Sequence, residues 1–147
     1  MPTAVWVHVV WMIAAVAVGT GSGYLGLLRA TLKGGRSFLP GRYTLRSHQW
    51  TGIAYYAMLY AGIVYAVVMA EEILKIEATG LWAWHKGLGI TIGVLYLPAM
   101  LLGLQMLREP PGSRRARPIV HMILNFSACT LVGVQIALAI YAVYGVK

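Results

Sequence analysis

Four long apolar segments separated by short polar connections constrain the fold of this 147-residue chain more than any other feature. The segments cover residues 4–28, 47–70, 81–107 and 119–144. Each is longer than the roughly 20 helical residues that cross a hydrocarbon layer about 30 Å thick. Charged residues make up 11% of the chain and hydrophobic residues 59%, which is far from the composition of a soluble domain. The sequence therefore predicts a multi-pass integral membrane protein that forms one domain.

The connections contain the residue types that end helices. Gly and Pro occur in them at residues 33–36, 40–41 and 110–112,. Connections this short place consecutive helices side by side in opposite directions. The predicted fold is all-α, an up-down-up-down four-helix bundle in the membrane. Pro98 lies inside the third segment and predicts a kink there, whereas Pro118 suits the first turn of the fourth helix.

The distribution of Lys and Arg predicts the orientation of the bundle. Nine basic residues lie in or beside the first and third connections, and three lie elsewhere. The nine are Arg29, Lys33, Arg36, Arg42, Arg46, Arg108, Arg114, Arg115 and Arg117, and the three are Lys75, Lys86 and Lys147. Because cytoplasmic loops are enriched in basic residues, both termini are predicted to be non-cytoplasmic. The first segment has no basic leader, so we expect a retained helix rather than a cleaved signal peptide, in a prokaryotic inner membrane or a thylakoid.

Charge and cysteine content exclude several function classes. The formal net charge is +8, but the basic residues lie between apolar segments rather than on a soluble basic face, so no nucleic-acid partner is predicted. Cys129 is the sole cysteine, which excludes an internal disulfide,. All four carboxylates lie in connections or at segment ends, which argues against proton or metal transport through the bundle.

The four histidines are distributed one to each segment. His8, His48, His85 and His121 each lie within the first few residues of a segment, at spacings of 40, 37 and 36 residues. Because alternate helices run in opposite directions, His8 and His85 are predicted at one depth near the outer surface. His48 and His121 are predicted at another depth near the inner surface. Ionisable residues inside a membrane are costly and usually functional.

Two facing imidazoles are what a low-spin b-type haem requires, one axial nitrogen on each side of the iron. The pattern predicts an outer haem held by His8 and His85 and an inner haem held by His48 and His121, about 20 Å apart by helical rise. Both would be non-covalent, because the C-x-x-C-H motif is absent,. The alternative is that these histidines form hydrogen bonds within the bundle or line its interface.

Glycines recur on the helix faces that carry the histidines, where a wide porphyrin needs space. At 100° per residue, positions 11, 14 and 18 after a histidine return to its face, and position 4 lies beside it. The predicted cofactor-lining glycines are Gly19, Gly26, Gly52, Gly62, Gly89 and Gly103. Small residues also mediate ordinary helix packing in membranes, so packing remains the alternative.

A few polar residues lie close to the predicted haem levels. Arg46 and Arg117 are expected near the inner propionates and Lys86 near the outer ones. The alternative for the inner cations is orientation, phospholipid binding, or docking of an anionic reductant or an acidic protein. Asn125 and Gln135 are expected to form hydrogen bonds within the bundle or to contact a haem edge or a quinone.

The arrangement of the histidines resembles the four-helix core of the cytochrome b561 family, including its shorter bacterial and cyanobacterial relatives. Each of the four helices has one histidine near its start, and the histidines are paired between helices one and three and between helices two and four. The resemblance covers nearly the whole chain and lies in His8, His48, His85, His121 and their glycines. It implies two non-covalent b haems and electron transfer across the membrane. It implies a quinol or an ascorbate-like reductant as donor. Eukaryotic members carry two further flanking helices that are missing here.

The leading hypothesis is a dihaem b-type cytochrome that carries electrons across the membrane, either as a simple carrier or as a transmembrane oxidoreductase. Its partners would be a quinol, an ascorbate-like reductant or a redox protein, together with membrane lipid. The alternative is a haem-binding or pigment-binding accessory or anchor subunit of a larger membrane redox or photosynthetic complex. Chlorophyll usually takes one axial ligand, so opposed histidine pairs argue against pigment. No residue is predicted to be catalytic.

Overall fold

The computed structural model describes residues 2–31, 39–73, 75, 80–108 and 117–144, without the side chains of the last two. Within these residues the chain is all-helical, as predicted, and no strand occurs. The elements are α1 (Thr3–Ala30), α2 (Leu45–Val68), a π-helical segment (Met69–Ile73), α3 (Gly80–Arg108) and α4 (Arg117–Tyr144). The predicted connections at 33–36 and 110–112 lie outside the described residues, as do Lys33, Arg36, Glu77, Glu109, Arg114, Arg115 and Lys147.

All four helices are long and apolar enough to cross a membrane. They begin and end within a few residues of the predicted segments. Between 6% and 22% of the residues in each apolar stretch are buried, and large side chains such as Trp84, Val94 and Ile13 are mostly exposed. Contiguous apolar surfaces of this size are unusual for soluble monomers. The fold is therefore that of a protein with four potential membrane spans.

The chain divides into two compact units, Met1–Met69 and Ala70–Lys147. The first contains α1 and α2 and is called the first hairpin. The second contains α3 and α4 and is called the second hairpin. The core of each forms where its two helices face each other.

In the first hairpin, α1 and α2 run antiparallel. The Tyr65 hydroxyl near the end of α2 donates to the Ala4 carbonyl at the start of α1 (3.1 Å), and Trp11 Nε1 donates to the Met58 carbonyl (2.7 Å). The start of α2 is capped by Thr44, whose Oγ1 accepts from the Ser47 N–H (3.2 Å), as expected for a threonine preceding a helix,. Among the described residues of this unit, the buried core side chains are Ala15, Leu28, Tyr55, Tyr56, Leu59 and Met69.

In the second hairpin, α3 and α4 also run antiparallel, because Gln135 is bonded to His85 and His121 to Ala99. Its buried side chains include Ile92, Tyr96 and Ala99 on α3 and Ala128 on α4. The helix α3 continues through Pro98 to Arg108. Like the first hairpin, the second leaves most of its outer surface apolar and exposed.

Candidate functional site

The imidazole of His48 lies near the start of α2 against the later part of α1. Its Nδ1 is 3.1 Å from the main-chain carbonyl oxygen of Ser22. A carbonyl oxygen only accepts hydrogen bonds, so Nδ1 carries the proton and Nε2 carries the lone pair. Gly26 lies one turn after Ser22 and beside the ring, where a Cβ would make an ordinary contact 3.5 Å from His48 Cε1. The ring is thus held in place with Nε2 unprotonated.

His121 repeats this arrangement at the start of α4. Its Nδ1 donates to the Ala99 carbonyl of α3 over 2.7 Å, so Nε2 again carries the lone pair,. Gly103 is one turn after Ala99, and a Cβ there would lie only 3.2 Å from His121 Cε1. The close contact shows that glycine at this position allows the imidazole to reach the carbonyl.

The two hairpins match residue for residue at this point. Ser22 follows His8 by 14 residues, and Ala99 follows His85 by 14 residues. Helical rise therefore separates the two histidine levels of each hairpin by about 21 Å. Two levels per hairpin are what the sequence predicts. The pairing of histidines between hairpins stays a prediction.

His85, near the start of α3, is held by a side chain rather than by a carbonyl. Gln135 Nε2 donates to the main-chain oxygen of His85 (2.9 Å) and lies 3.2 Å from the Nε2 of its imidazole. Because an amide nitrogen is a donor only, the imidazole Nε2 accepts, and His85 Nδ1 carries the proton. The lone pair is therefore on Nε2 here as well. The sequence indicates a polar role for Gln135 but does not identify this partner.

The imidazole of His8 lies beside the Tyr65 ring of α2. The two rings are stacked, with centroids 6.5 Å apart and planes 15° apart. The Tyr65 hydroxyl donates to the Ala4 carbonyl, which fixes the ring in place. This contact is not among the predictions made from the sequence. The spacing of 17 residues between His48 and Tyr65 is the signal that places Tyr65 at the level of His8.

The other predicted glycines make room for side chains of their own hairpin. A Cβ on Gly19 would lie 2.6 Å from the Tyr55 ring, and one on Gly62 would overlap the Met12 sulfur. A Cβ on Gly89 would lie 3.1 Å from Gln135 Nε2. These contacts show the packing role that the sequence left as the alternative.

Like Gly26, Gly52 is uncrowded. A Cβ there would lie 3.5 Å from Ser22 Oγ, an ordinary van der Waals contact. The role of Gly52 as a lining residue stays a prediction.

The predicted cations lie in different environments. Lys86 Nζ forms an ion pair with Glu71 Oε1 at 2.6 Å, and both side chains are about half exposed. Arg46 is exposed in the first turn of α2, and Arg117, the first residue of α4, is partly buried. Lys86 therefore has a carboxylate partner of its own, which was not predicted.

An aromatic ring lies beside His48 at the end of the first hairpin, and a cation lies beside that ring. The Arg29 guanidinium lies 5.9 Å from the centre of the Tyr43 ring, and this ring lies 6.2 Å from that of His48. Burial raises the pKa of the Tyr43 hydroxyl, and the Arg29 charge opposes the rise. Tyr43 therefore lies close to both a surface cation and a candidate ligand.

The four histidines suit a cofactor that itself supplies most of the ligands of its metal. No group of three or more His, Cys, Asp or Glu side chains could hold a bare metal ion in the part of the chain that the structure describes. A haem needs only one imidazole Nε2 on each face, and three of the four histidines carry their lone pair on that atom,. Gly26 and Gly103 keep the space beside two of these rings free of a Cβ. The residues therefore fit non-covalent haem.

Comparison with known proteins finds no family model, no curated protein and no solved structure that matches this chain.

Proposed function

We propose that this protein is a dihaem b-type cytochrome that carries electrons across a membrane. His8 and His85 would hold one haem b and His48 and His121 the other. The observation that carries the proposal is the hydrogen bonding of His48, His85 and His121, whose partners leave the lone pair of each ring on Nε2,. Histidines that serve only as hydrogen-bonding groups have no need of one common tautomer.

The chain's own groups would prepare the ligands for this role. Haem supplies one-electron redox chemistry when bound. The carbonyls of Ser22 and Ala99 accept the Nδ1 protons, which orients each ring and makes its Nε2 a stronger donor,. Two histidines for each haem leave no open coordination position, so electrons would pass through the cofactor edge rather than through a bound substrate.

Cations near the two levels would offset the propionate charges. Arg46 and Arg117 lie in the first turns of α2 and α4, close in sequence to His48 and His121. Lys86 follows His85 directly, and its ammonium group would pair with both Glu71 and a propionate. Phospholipid headgroups compete for the same cations.

The direction of transfer is proposed from the charge distribution. With the basic connections inside, an inside-negative potential favours outward electron movement by about 2.3 kcal/mol per electron at 100 mV. A quinol, an ascorbate-like reductant or a redox protein would supply the electrons. The setting would be a prokaryotic inner membrane or a thylakoid, with both termini outside the cytoplasm.

The test is haem content in purified protein. We expect a reduced-minus-oxidised spectrum of low-spin b type and a pyridine haemochrome value of two haems per chain. His48→Ala and His85→Ala should each lower the value to about one. Gln105→Ala, at an exposed position of α3, is the matched control and should keep two.

Two results would contradict the proposal. One is absence of haem, and the other is a single haem that both histidine substitutions abolish. A chlorophyll-type spectrum would identify a pigment protein instead. A stoichiometric copurifying subunit would favour the accessory role over an independent carrier.

A further inference from the structure

Gln135 engages His85 differently from the way the main chain engages His48 and His121. The carbonyls of Ser22 and Ala99 bind the Nδ1 side of their imidazoles and leave the Nε2 side to other partners. The Gln135 amide instead donates to Nε2 of His85, over 3.2 Å. It therefore lies at the atom that a metal would bind.

The contact leaves two buried polar atoms unsatisfied. Within the described residues, neither His85 Nδ1 nor Gln135 Oε1 has a hydrogen-bond partner, although both are shielded from solvent. Buried polar groups in native proteins are almost always paired, so each unpaired atom raises the free energy of this arrangement. The amide–imidazole contact is thus well aimed but incompletely stabilised, which makes it displaceable.

Over its described residues, the first hairpin has no counterpart of the contact between Gln135 and His85. Counting from the histidine that starts each second helix, Gln135 of α4 corresponds to Gly62 of α2, since both follow by 14 residues. The amide also needs space on the facing helix, and Gly89 provides it, since a Cβ there would lie 3.1 Å from Gln135 Nε2. Two residues on two helices therefore combine to place one amide at one imidazole nitrogen.

Asn125, whose side chain is one methylene shorter than that of Gln135, makes a similar contact with the imidazole of His121. Its Nδ2 donates to the main-chain oxygen of His121 (2.7 Å) and lies 3.4 Å from His121 Nε2. Asn125 is on the same helix as its histidine and one turn away, so it has little freedom to approach further. Gln135 reaches His85 from a different helix and has the closer contact.

We propose that Gln135 is a positioning residue that guards Nε2 of His85. It fixes the tautomer of His85 in the cofactor-free chain and occupies the position at Nε2 that a haem iron would take. The proposal rests on the proposed function, because it concerns the haem that His85 would share with His8. Gln135 then lowers the affinity of this haem site by about the worth of one hydrogen bond, roughly fivefold.

The first measurement needs no haem. In cofactor-free protein with ¹⁵N-labelled histidine, His85 should show a protonated Nδ1 and a hydrogen-bonded, unprotonated Nε2. Gln135→Leu, which keeps the volume and removes the donor, should shift the His85 nitrogens toward a mixture of tautomers. His48 and His121 should not change. A His85 spectrum unaffected by the substitution would overturn the proposal.

The second measurement is haem binding in a His48→Ala background, which leaves one proposed site. Gln135→Leu should raise the affinity for added haem about fivefold, and Gln105→Leu at an exposed position of α3 should not. Gln135→Met provides a second donor-free variant in case the leucine variant folds poorly. Unchanged or weaker haem binding in both Gln135 variants would overturn the proposed role of Gln135.

The outcomes separate the two proposals. If the parent protein binds no haem, the proposed function fails and the guard fails with it. If the parent binds two haems and the Gln135 variants bind as the parent does, the guard alone fails.

Discussion

The two hairpins position their histidines alike but fill the space between their helices in opposite ways. In the first, Gly19 on α1 makes room for the Tyr55 ring of α2. In the second, the corresponding positions hold Tyr96 on α3 and Ala128 on α4, both buried. The bulky and the small residue have thus exchanged helices, while the bond from imidazole to carbonyl is the same.

A second exchange of a large and a small residue occurs at the opposite end of each hairpin, near the histidine of its first helix. Met12 of α1 packs where Gly62 of α2 has no side chain, whereas in the second hairpin Gly89 is the small residue and Gln135 the large one. This exchange also changes chemistry, since a thioether is replaced by an amide that reaches His85. Packing volume thus moves between helices while the bond from imidazole to carbonyl is kept, and the contact with His85 Nε2 occurs where the large residue is polar.

The largest expected effect comes from breaking the first exchange. Gly19→Tyr places a second ring where Tyr55 already lies, because even a Cβ there would come within 2.6 Å of that ring. Overpacking of this kind destabilises by about 1–3 kcal/mol. Thermal or SDS-induced unfolding in detergent should show the loss.

The double variant Gly19→Tyr with Tyr55→Ala gives the first hairpin the residues of the second. It should recover most of that loss, as a coupling between neighbouring sites. The single Tyr55→Ala variant is the control, and it should be destabilised by the cavity it leaves. Additive behaviour of the two substitutions would show that the exchange does not describe the packing.

A smaller effect should separate the two glycines beside the imidazoles. A Cβ on Gly103 would lie 3.2 Å from His121 Cε1 and must push the ring, whereas one on Gly26 would lie at an ordinary 3.5 Å from His48. Gly103→Ala should weaken the bond from His121 to the Ala99 carbonyl, and Gly26→Ala should keep its counterpart. Unfolding in detergent should find Gly103→Ala about 1 kcal/mol less stable than Gly26→Ala. Equal stabilities would show that the two contacts do not differ in energy.

The sequence predicts the helices well because their determinants are local. Apolar length locates all four potential spans, and the described helices begin and end close to the predicted segments. Helical phase also identifies Gly26 and Gly103 as residues that belong with the histidines. In the structure they lie directly beside His48 and His121.

The side-chain partners could not be predicted because they depend on how far one helix is shifted along its neighbour. An almost uniformly apolar helix surface does not fix that shift from sequence. Thus the Ser22 carbonyl, the Tyr65 ring and the Gln135 amide are identified only when the helices are placed together. Once a shift is known, the matching 14-residue spacings in both hairpins become meaningful.

A further variant tests the comparison by placing an amide near His8, as Gln135 lies near His85. It should lower the stability less than the overpacking at position 19 does. The double variant Met12→Gly with Gly62→Gln gives the first hairpin the small and large residues of the second. We expect the new amide to reach His8 and to shift its imidazole ¹⁵N resonances toward those of His85. Met12→Gly with Gly62→Leu is the matched control without a donor. Identical His8 spectra in the two variants would show that the hairpins are less alike than their spacings indicate.

The smallest expected effect concerns the connection of the first hairpin. Burial raises the pKa of Tyr43, and the positive charge of Arg29 partly offsets this, because it stabilises the phenolate,. Arg29→Gln removes the charge, so the pKa should rise further and the phenol should stay protonated to higher pH. An NMR titration of ¹³C-labelled tyrosine measures it, with Arg42→Gln as a nearby control that should leave the pKa unchanged. A fall in the pKa, or an equal rise in both variants, would mean that the contact between Arg29 and the Tyr43 ring does not set the charge at this end of the hairpin.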